Sequence, residues 1–456
     1  MLDGKEVVIV LQGRDDFFLF FLTVLLYYMG AGPETRKQYH HRSGGANMSY
    51  FYMPVKVYEE AEAVTAHGSE IREIARKGRR MRTERRASGE ETGVVNIGAG
   101  AIDVKNSVLA EYSKPLRALV VTGRHSAKAC GAYDDVVKAL TSQGIAYSLF
   151  DRVEENPSVE TVMEARDFGL SEDCDLVIGI GGGSPLDAAK AISLMMYHSG
   201  EGREYLFEKN ADSTAYPVIL IPTTCGTGSE VTGISVLTVK EQETKQSSPH
   251  RIYADLALID GKYLSSASDE VLCNTAMDAL AHMLESGTSR KSTDLSYAFV
   301  KEGLEWWKES LPALLELPNR EELTEERKRA LMLASMYAGM AIAHTGTTLP
   351  HGLSYSLTYK LHMAHGKAVS YYLAGYLKHC DPDRVEDLLS LAGFGSLENL
   401  RLVYKLLCRP EPVPEEYLQT AVKELASKPE KLRAAAITAD EEMLWDIARD
   451  MGEYIR

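Results

Sequence analysis

A parallel α/β domain followed by an all-helical domain is the fold this sequence predicts, and three observations predict it. Between residues 117 and 224, apolar runs rich in β-branched residues alternate with amphipathic helical segments, the pattern of a parallel sheet covered on both faces. From Gly261 onward the period becomes helical, in segments such as SYAFVKEGLEWWKESLPALLE and ERKRALMLASMYAGMAIAH, with few strand candidates. The chain has 456 residues, long enough for two or three domains, each with its own core. The boundary falls near Asp260, giving domains of residues 48–260 and 261–456.

Taken in order, the chain opens on an uncharged apolar segment from Phe17 to Met29. It stops short of the roughly 20 apolar residues a spanning helix needs and follows Arg-Asp-Asp, not a basic region, so it is not read as a membrane anchor. Gly44-Gly45-Ala46-Asn47-Met48 back-translates to a purine-rich, ribosome-binding-like sequence just before a start codon. Met48 is therefore the expected start, and residues 1–47 are expected to be a non-native or disordered leader. SYFYMPVKVY then reads as a first strand. Residues 59–93 hold eight Glu and eight Lys plus Arg, including RKGRRMRTERR, with few large apolar side chains. This charged insertion is expected to be a solvated helix or a disordered segment, because its acids balance its bases.

The alternation follows. RALVVTG is a buried-strand run, YDDVVKALTSQG a helix with a Gly stop, IAYSLFD a strand and SVETVMEARDFG a helix. CDLVIGIG, PLDAAKAISLMMYH and PVILIPTT continue as strand, helix and strand.

Composition narrows the function. A net charge of −15 argues against a nucleic-acid partner, since phosphate binding needs a basic surface. A small-molecule ligand is the default. Six scattered cysteines without a CxxC pair read as reduced thiols of a cytoplasmic protein.

Chemistry concentrates in Asp278-Ala-Leu-Ala-His282. Four residues apart in a helix-forming run, the carboxylate and the imidazole leave the same helix face one turn apart. His351 and His365 each precede a Gly, and 14 residues of continuous helix would hold them roughly 21 Å apart. If the chain turns between them, one carboxylate and three imidazoles converge, a set suited to Fe(II) or Zn(II) and poorly suited to Mg(II) or Ca(II). A DxxxH pair alone is as compatible with an ordinary solvated helix.

Upstream, the loop from Gly179 to Asp187 (GIGGGSPLD) follows a strand and opens a helix. Ser184 can N-cap that helix, Pro185 suits its first position and Asp187 completes a capping-box-like pattern, so the helix N-terminus faces a phosphate. The spacing is not GxGxxG, and a tight strand–helix turn is an alternative reading. A second such loop, IPTTCGTGSEVT, follows the next strand.

GGGSPLDAAK, IPTTCGTGSEVT, DLALIDGKYL, NTAMDALAHMLES and LPHGLSYSLTYKLHMAHGKA, in this order and spacing, resemble the iron-containing (group III) alcohol dehydrogenase family, butanol-dehydrogenase-like. The resemblance covers about residues 94–400. It implies an N-terminal dinucleotide-binding domain, a C-terminal helical metal-binding domain and a cleft holding iron, or zinc, with NADP or NAD. The implied metal ligands are Asp278, His282, His351 and His365. Gly182, Gly183, Ser184 and Asp187 would hold the pyrophosphate, with Pro185 and Leu186 in the same loop, and Thr223, Thr224, Thr232, Lys245 and Asn156 would line the remaining cofactor path.

Two departures stand out. Members often carry a proton-relay histidine where this chain has Tyr355, a poorer base at neutral pH, and His362 is the nearest substitute. NAD-preferring members often end the RALVVT strand on Asp, where this chain has Gly123 and then Arg124, a change that favours NADP.

The resemblance implies a metal-dependent alcohol dehydrogenase or aldehyde reductase for small primary alcohols or aldehydes, a homodimer or higher homo-oligomer without membrane or nucleic-acid partners. The alternatives are a dehydroquinate synthase-like or glycerol dehydrogenase-like metalloenzyme and a non-catalytic binding protein. The first would need a basic cluster for substrate phosphate.

Overall fold

The structure is a computed structural model that describes residues 52–88, 111–317 and 323–455, all within one compact unit, Phe51–Arg456. The expected leader, the apolar segment before it and residues 89–93 of the charged insertion lie outside the described residues.

Six parallel strands form the sheet: β1 (Lys56–Glu59), β2 (Arg117–Thr122), β3 (Ala146–Phe150), β4 (Leu176–Gly181), β5 (Val218–Pro222) and β8 (Leu256–Ile259), in the order β1-β8-β5-β4-β2-β3. A separate antiparallel hairpin, β6 (Val236–Val239) with β7 (Thr244–Ser247), was not read from the sequence. Helices α1 (Gly68–Ser88), α2 (Ala132–Ser142), α3 (Val159–Ser171) and α4 (Gly183–Tyr197) cover the sheet. Strand side chains alternate between faces. Ala118, Val120, Leu176, Ile178 and Ile219 pack with Ile71 and Ala75 of α1 and Val136 and Leu140 of α2. Leu119, Val121, Val177 and Leu220 pack with Val162 of α3 and Leu186 and Ile192 of α4.

The charged segment is not solvated throughout. Gly78 lies so close to β4 that a Cβ there would sit 1.7 Å from Asp175 O. Arg79 and Arg82 are buried: Arg79 Nε and Nη2 donate to Asp175 at 2.7 and 2.8 Å, and Arg82 pairs with Glu111, Asp173 and Asp175. Acids remote in sequence take their charge, which local composition could not reveal.

Beyond β8 come α5 (Asp269–Thr288), α6 (Asp294–Glu316), α7 (Glu325–Thr345), α8 (Leu349–Lys360) and α9 (His365–Leu377), with further helices to Ile455. Their core is continuous, with Met277, Leu284, Leu304, Trp307, Met336, Leu353 and Tyr372 buried together. Trp307 Nε1 donates to Ala276 O at 2.8 Å, tying α6 to α5. Among the described residues no helix is long and apolar enough to cross a membrane.

Candidate active site

The sheet order reverses between β2 and β4, and ligands of such sheets bind outside the strand ends at that point. Both nucleotide-type loops lie there or on the next strand. Gly181 ends β4 at φ 150°, and α4 begins at Gly183 with Gly182 as its N-cap, two residues earlier than expected. Ser184 is therefore no cap. Its Oγ accepts from Asn156 N at 3.0 Å, while Asp187 accepts from Ser229 Oγ at 2.6 Å and Val236 N at 2.9 Å. Pro185 and Leu186 are buried beneath the loop, leaving Gly182, Gly183 and Ser184 partly open at a helix N-terminus, where free NH groups favour an anion.

The second loop packs on the first. Thr223 N donates to Gly181 O at 2.9 Å, and Cβ atoms at Gly182 and Gly183 would meet Thr224 and Thr227 at 3.1 and 2.7 Å. Thr223 Oγ1 is buried without a partner, whereas Thr232 Oγ1 turns inward toward Ser229 O at 3.5 Å. Lys190 was missed in the apolar run AAKAI. Its ammonium, fully buried, donates to Ser229 Oγ at 2.7 Å and to the Ser229, Thr232 and Ile234 carbonyls, pinning this loop to α4.

Lys245 Nζ lies 2.5 Å from Asn156 Oδ1, and Asn156 is held at φ 59°. Burial pushes the Lys245 ammonium down to about 8, against the opposing pull of Glu155 and Asp278. At the end of β2, a Cβ on Gly123 would have ordinary contacts, the nearest 3.5 Å to Val153 O. Arg124 is exposed and pairs with no acid among the described residues.

On α5, capped by Ser268, Asp278 and His282 share one buried face. The chain does turn between the later histidines: α8 stops at Lys360, His362 sits exposed at φ 52°, and α9 starts at His365. Gly366 lets α9 meet α5, since a Cβ there would lie 1.9 Å from Asn274 O. Asp278, His351 and His365 each bring one ligand atom within 4.8 Å of the others. His351 Nε2 and His365 Nε2 are 3.7 and 3.9 Å from Asp278 Oδ1. His282 does not join this group of three. Its ring stacks on His351 at 4.6 Å, and its Nδ1 is 3.3 Å from Gly226 O. The Tyr355 ring lies 6.5 Å from that of His365.

Burial alone would raise the Asp278 pKa, but the surrounding imidazoles outweigh it and hold the carboxyl well below the usual range. Burial opposes protonation of His351, yet the Glu285 and Asp278 carboxylates push it up to about 10. A metal entering here must displace that proton. Asp278 Oδ1 and His351 Nε2 are buried without hydrogen-bond partners, and a carboxylate oxygen facing imidazole nitrogens fits Fe(II) or Zn(II).

Glu285, one turn beyond His282, was also missed, although DALAHMLE places it seven residues from Asp278 on the same face. It is fully buried and accepts from His351 Nδ1 and from Thr348 N and Oγ1.

Two family models match the chain: iron-containing alcohol dehydrogenase over residues 93–261, and the Fe-containing alcohol dehydrogenase family, C-terminal, over residues 272–433. The long-chain-alcohol dehydrogenase 1 of Geobacillus thermodenitrificans is 32% identical over 312 residues, 66% of this chain and 76% of that protein. The NADPH-dependent butanol dehydrogenase of Clostridium saccharobutylicum is 29% identical over 61% of this chain and 71% of its own. The crystal structure of an iron-containing alcohol dehydrogenase from Thermotoga maritima superposes with a TM-score of 0.74 at 32% identity, covering 89% of this chain and 99% of that one.

Proposed function

We propose how this site works from one premise, that the chain belongs to the iron-containing alcohol dehydrogenase family. It is an oxidoreductase with NAD(P)-linked alcohol dehydrogenase or aldehyde reductase activity. The proposed substrate is a small primary alcohol or its aldehyde. The observation that carries the assignment to this site is the convergence of Asp278, His351 and His365, with partnerless buried atoms, against the loop that also packs on the nucleotide-binding turn.

Asp278, His351 and His365 would hold the metal, with His282 beside them as the fourth ligand. When bound, the metal supplies Lewis-acid stabilisation of charge on the substrate oxygen, and the nicotinamide gives or takes the hydride. Gly182, Gly183 and the α4 N-terminus receive the pyrophosphate. Lys245 and Asn156 face the path between that turn and the metal residues, and the Tyr355 hydroxyl is the proton carrier toward solvent. Iron is favoured over zinc by the family, since the donor set accepts both. NADP is favoured over NAD because Gly123 puts no carboxylate against a 2′-phosphate and Arg124 is free to pair with one. Six free cysteines fit a reducing cytoplasm.

The test is nicotinamide oxidation with butanal by metal-replete protein, prepared and assayed without oxygen, using NADH and NADPH in parallel. A panel of longer primary aldehydes follows, with elemental analysis of the same preparation. Oxidation no faster than in metal-free protein for every aldehyde and both cofactors would refute the assignment.

A further inference from the structure

We infer that Glu285 is a positioning residue of the metal centre, a single carboxylate that fixes the His351 tautomer and anchors the start of the helix carrying it. This rests on the metal set proposed above. Four observations support it. Glu285 lies on the α5 face that carries Asp278 and His282, seven residues past the first and three past the second, so all three side chains leave the helix on one side. It is fully buried. Its Oε1 accepts from His351 Nδ1, so the Nδ1 hydrogen is held and Nε2, the atom facing Asp278, is the nitrogen left to give up its proton to a metal. Its Oε2 accepts from Thr348 Oγ1 at 2.7 Å and from Thr348 N.

Thr348 is the N-cap of α8 and makes no cap hydrogen bond of its own. Glu285 therefore satisfies, from another helix, a group at the terminus where orphan NH donors gather and a negative charge is favoured. One carboxylate thus sets the position of α8 and the orientation of the ring on its third residue. Charge points the same way. Among the described residues no Lys or Arg pairs with Asp278 or Glu285, so the ionic partners of both buried carboxylates are imidazoles, with His351 between them. Buried charge must be compensated, and a divalent ion at Nε2 of His351 would replace the proton there and supply positive charge on the far side of the ring. Partners of this kind typically change metal affinity by 10–100-fold.

The experiment measures zinc affinity by competition with a fluorescent chelator, together with the visible spectrum of the cobalt-loaded protein, for wild type, Glu285→Gln, Thr348→Val and His351→Ala. Glu285→Gln is expected to weaken zinc roughly 10–100-fold and to alter the cobalt spectrum, because the amide cannot accept on both sides as the carboxylate does. Thr348→Val, which removes only one donor, is expected to stay within about threefold of wild type. The increase in melting temperature on saturating zinc separates the roles: a merely structural Glu285 lowers metal-free and loaded proteins alike, whereas a positioning one shrinks the increment. If His351→Ala binds zinc as wild type does, the metal set itself is wrong. If His351→Ala loses zinc while Glu285→Gln keeps wild-type affinity and spectrum, Glu285 does not position the site. Should Glu285→Gln not fold, histidine-nitrogen NMR on the zinc-loaded wild type decides, with His351 assigned by its loss in the alanine variant. A hydrogen on Nε2 instead of Nδ1 overturns the inference.

Discussion

Lys245 should take up a proton when the cofactor binds. Its ammonium is buried, with Asn156 Oδ1 as its hydrogen-bond partner, and burial holds it at about 8 against an ordinary 10.5. That depression corresponds to about 3 kcal/mol of unfavourable burial at neutral pH. The unfolded chain therefore binds the extra proton between about pH 8 and 10.5, so this group's contribution to stability rises with pH across that window. Below pH 8 it is a constant penalty. An anionic cofactor placed along this path offsets the penalty and returns the pKa toward its ordinary value. At pH 9 the free protein carries roughly 0.1 of this proton and the complex nearly all of it, an uptake of about 0.9; at pH 7 the uptake falls to about 0.1. Calorimetric titration of NADPH into metal-free protein, in two buffers of different ionisation heat, reads that number directly. Metal-free protein is the right sample, because a metal would neutralise Asp278 and shift the starting pKa. Uptake below about 0.2 at pH 9, or the same uptake in Lys245→Met, would show that Lys245 does not meet cofactor charge.

Arg124→Ala should raise the Michaelis constant for NADPH about tenfold with little change for NADH, the value of a charge-assisted pair at an exposed site, and steady-state kinetics with both cofactors checks it. Gly123→Asp, for which the backbone leaves room, should reverse the preference in the same assay. His282→Ala and His351→Ala should each lower turnover more than about 100-fold while NADPH still binds, measured by fluorescence titration beside elemental analysis for retained metal. Arg79→Ala leaves Asp175 buried and short of its bidentate partner, and should destabilise the protein by about 3–5 kcal/mol in urea unfolding.

The strands were legible because each is a short run of β-branched or apolar residues between turn signals, a pattern that burial on both faces imposes. The proposed metal residues were legible for a different reason: helix periodicity joins Asp278 to His282, and His351 and His365 could approach one another only if the chain turned between them, as it does. What stayed hidden depends on partners far along the chain. Arg79 and Arg82 look solvated until Glu111, Asp173 and Asp175 are seen around them. Ser184 has the chemistry of an N-cap, but Asn156, 28 residues earlier, claims its hydroxyl while Gly182 takes the cap position. His282, by contrast, has the expected place but not the expected company, because Gly226 O lies beside one ring nitrogen. Glu285 and Lys190 could have been found, since a charged residue within a run of buried apolar ones needs a buried partner.

The glycines of the 223–232 loop act through closeness, and that closeness links the two halves of the reaction. Gly181 O receives Thr223 N, and Gly182 and Gly183 lie under Thr224 and Thr227, so the loop forms one wall of the turn proposed to hold the pyrophosphate. Three residues on, a Cβ at Gly226 would meet Thr275 of α5 at 2.8 Å, and Gly226 O faces His282. Gly228, at φ 56°, leaves no space for a side chain against Gly339 of α7, where the nearest atom would be 2.5 Å away. Lys190 fixes the same loop to α4 from beneath. Residues 223–228 thus touch the turn proposed to hold the pyrophosphate, the helix bearing Asp278 and His282, and a second helix of the proposed metal-binding region. Hydride transfer demands that the nicotinamide carbon and the substrate carbon be held near contact distance, where an error of about 1 Å lowers the rate about 100-fold. A loop wedged on both sides, with glycine backbone against the short side chains of Thr224, Thr227 and Thr275 and against the backbone of Gly339, leaves little freedom between the two sites, and this is a physical reason for glycine at positions where flexibility would be harmful.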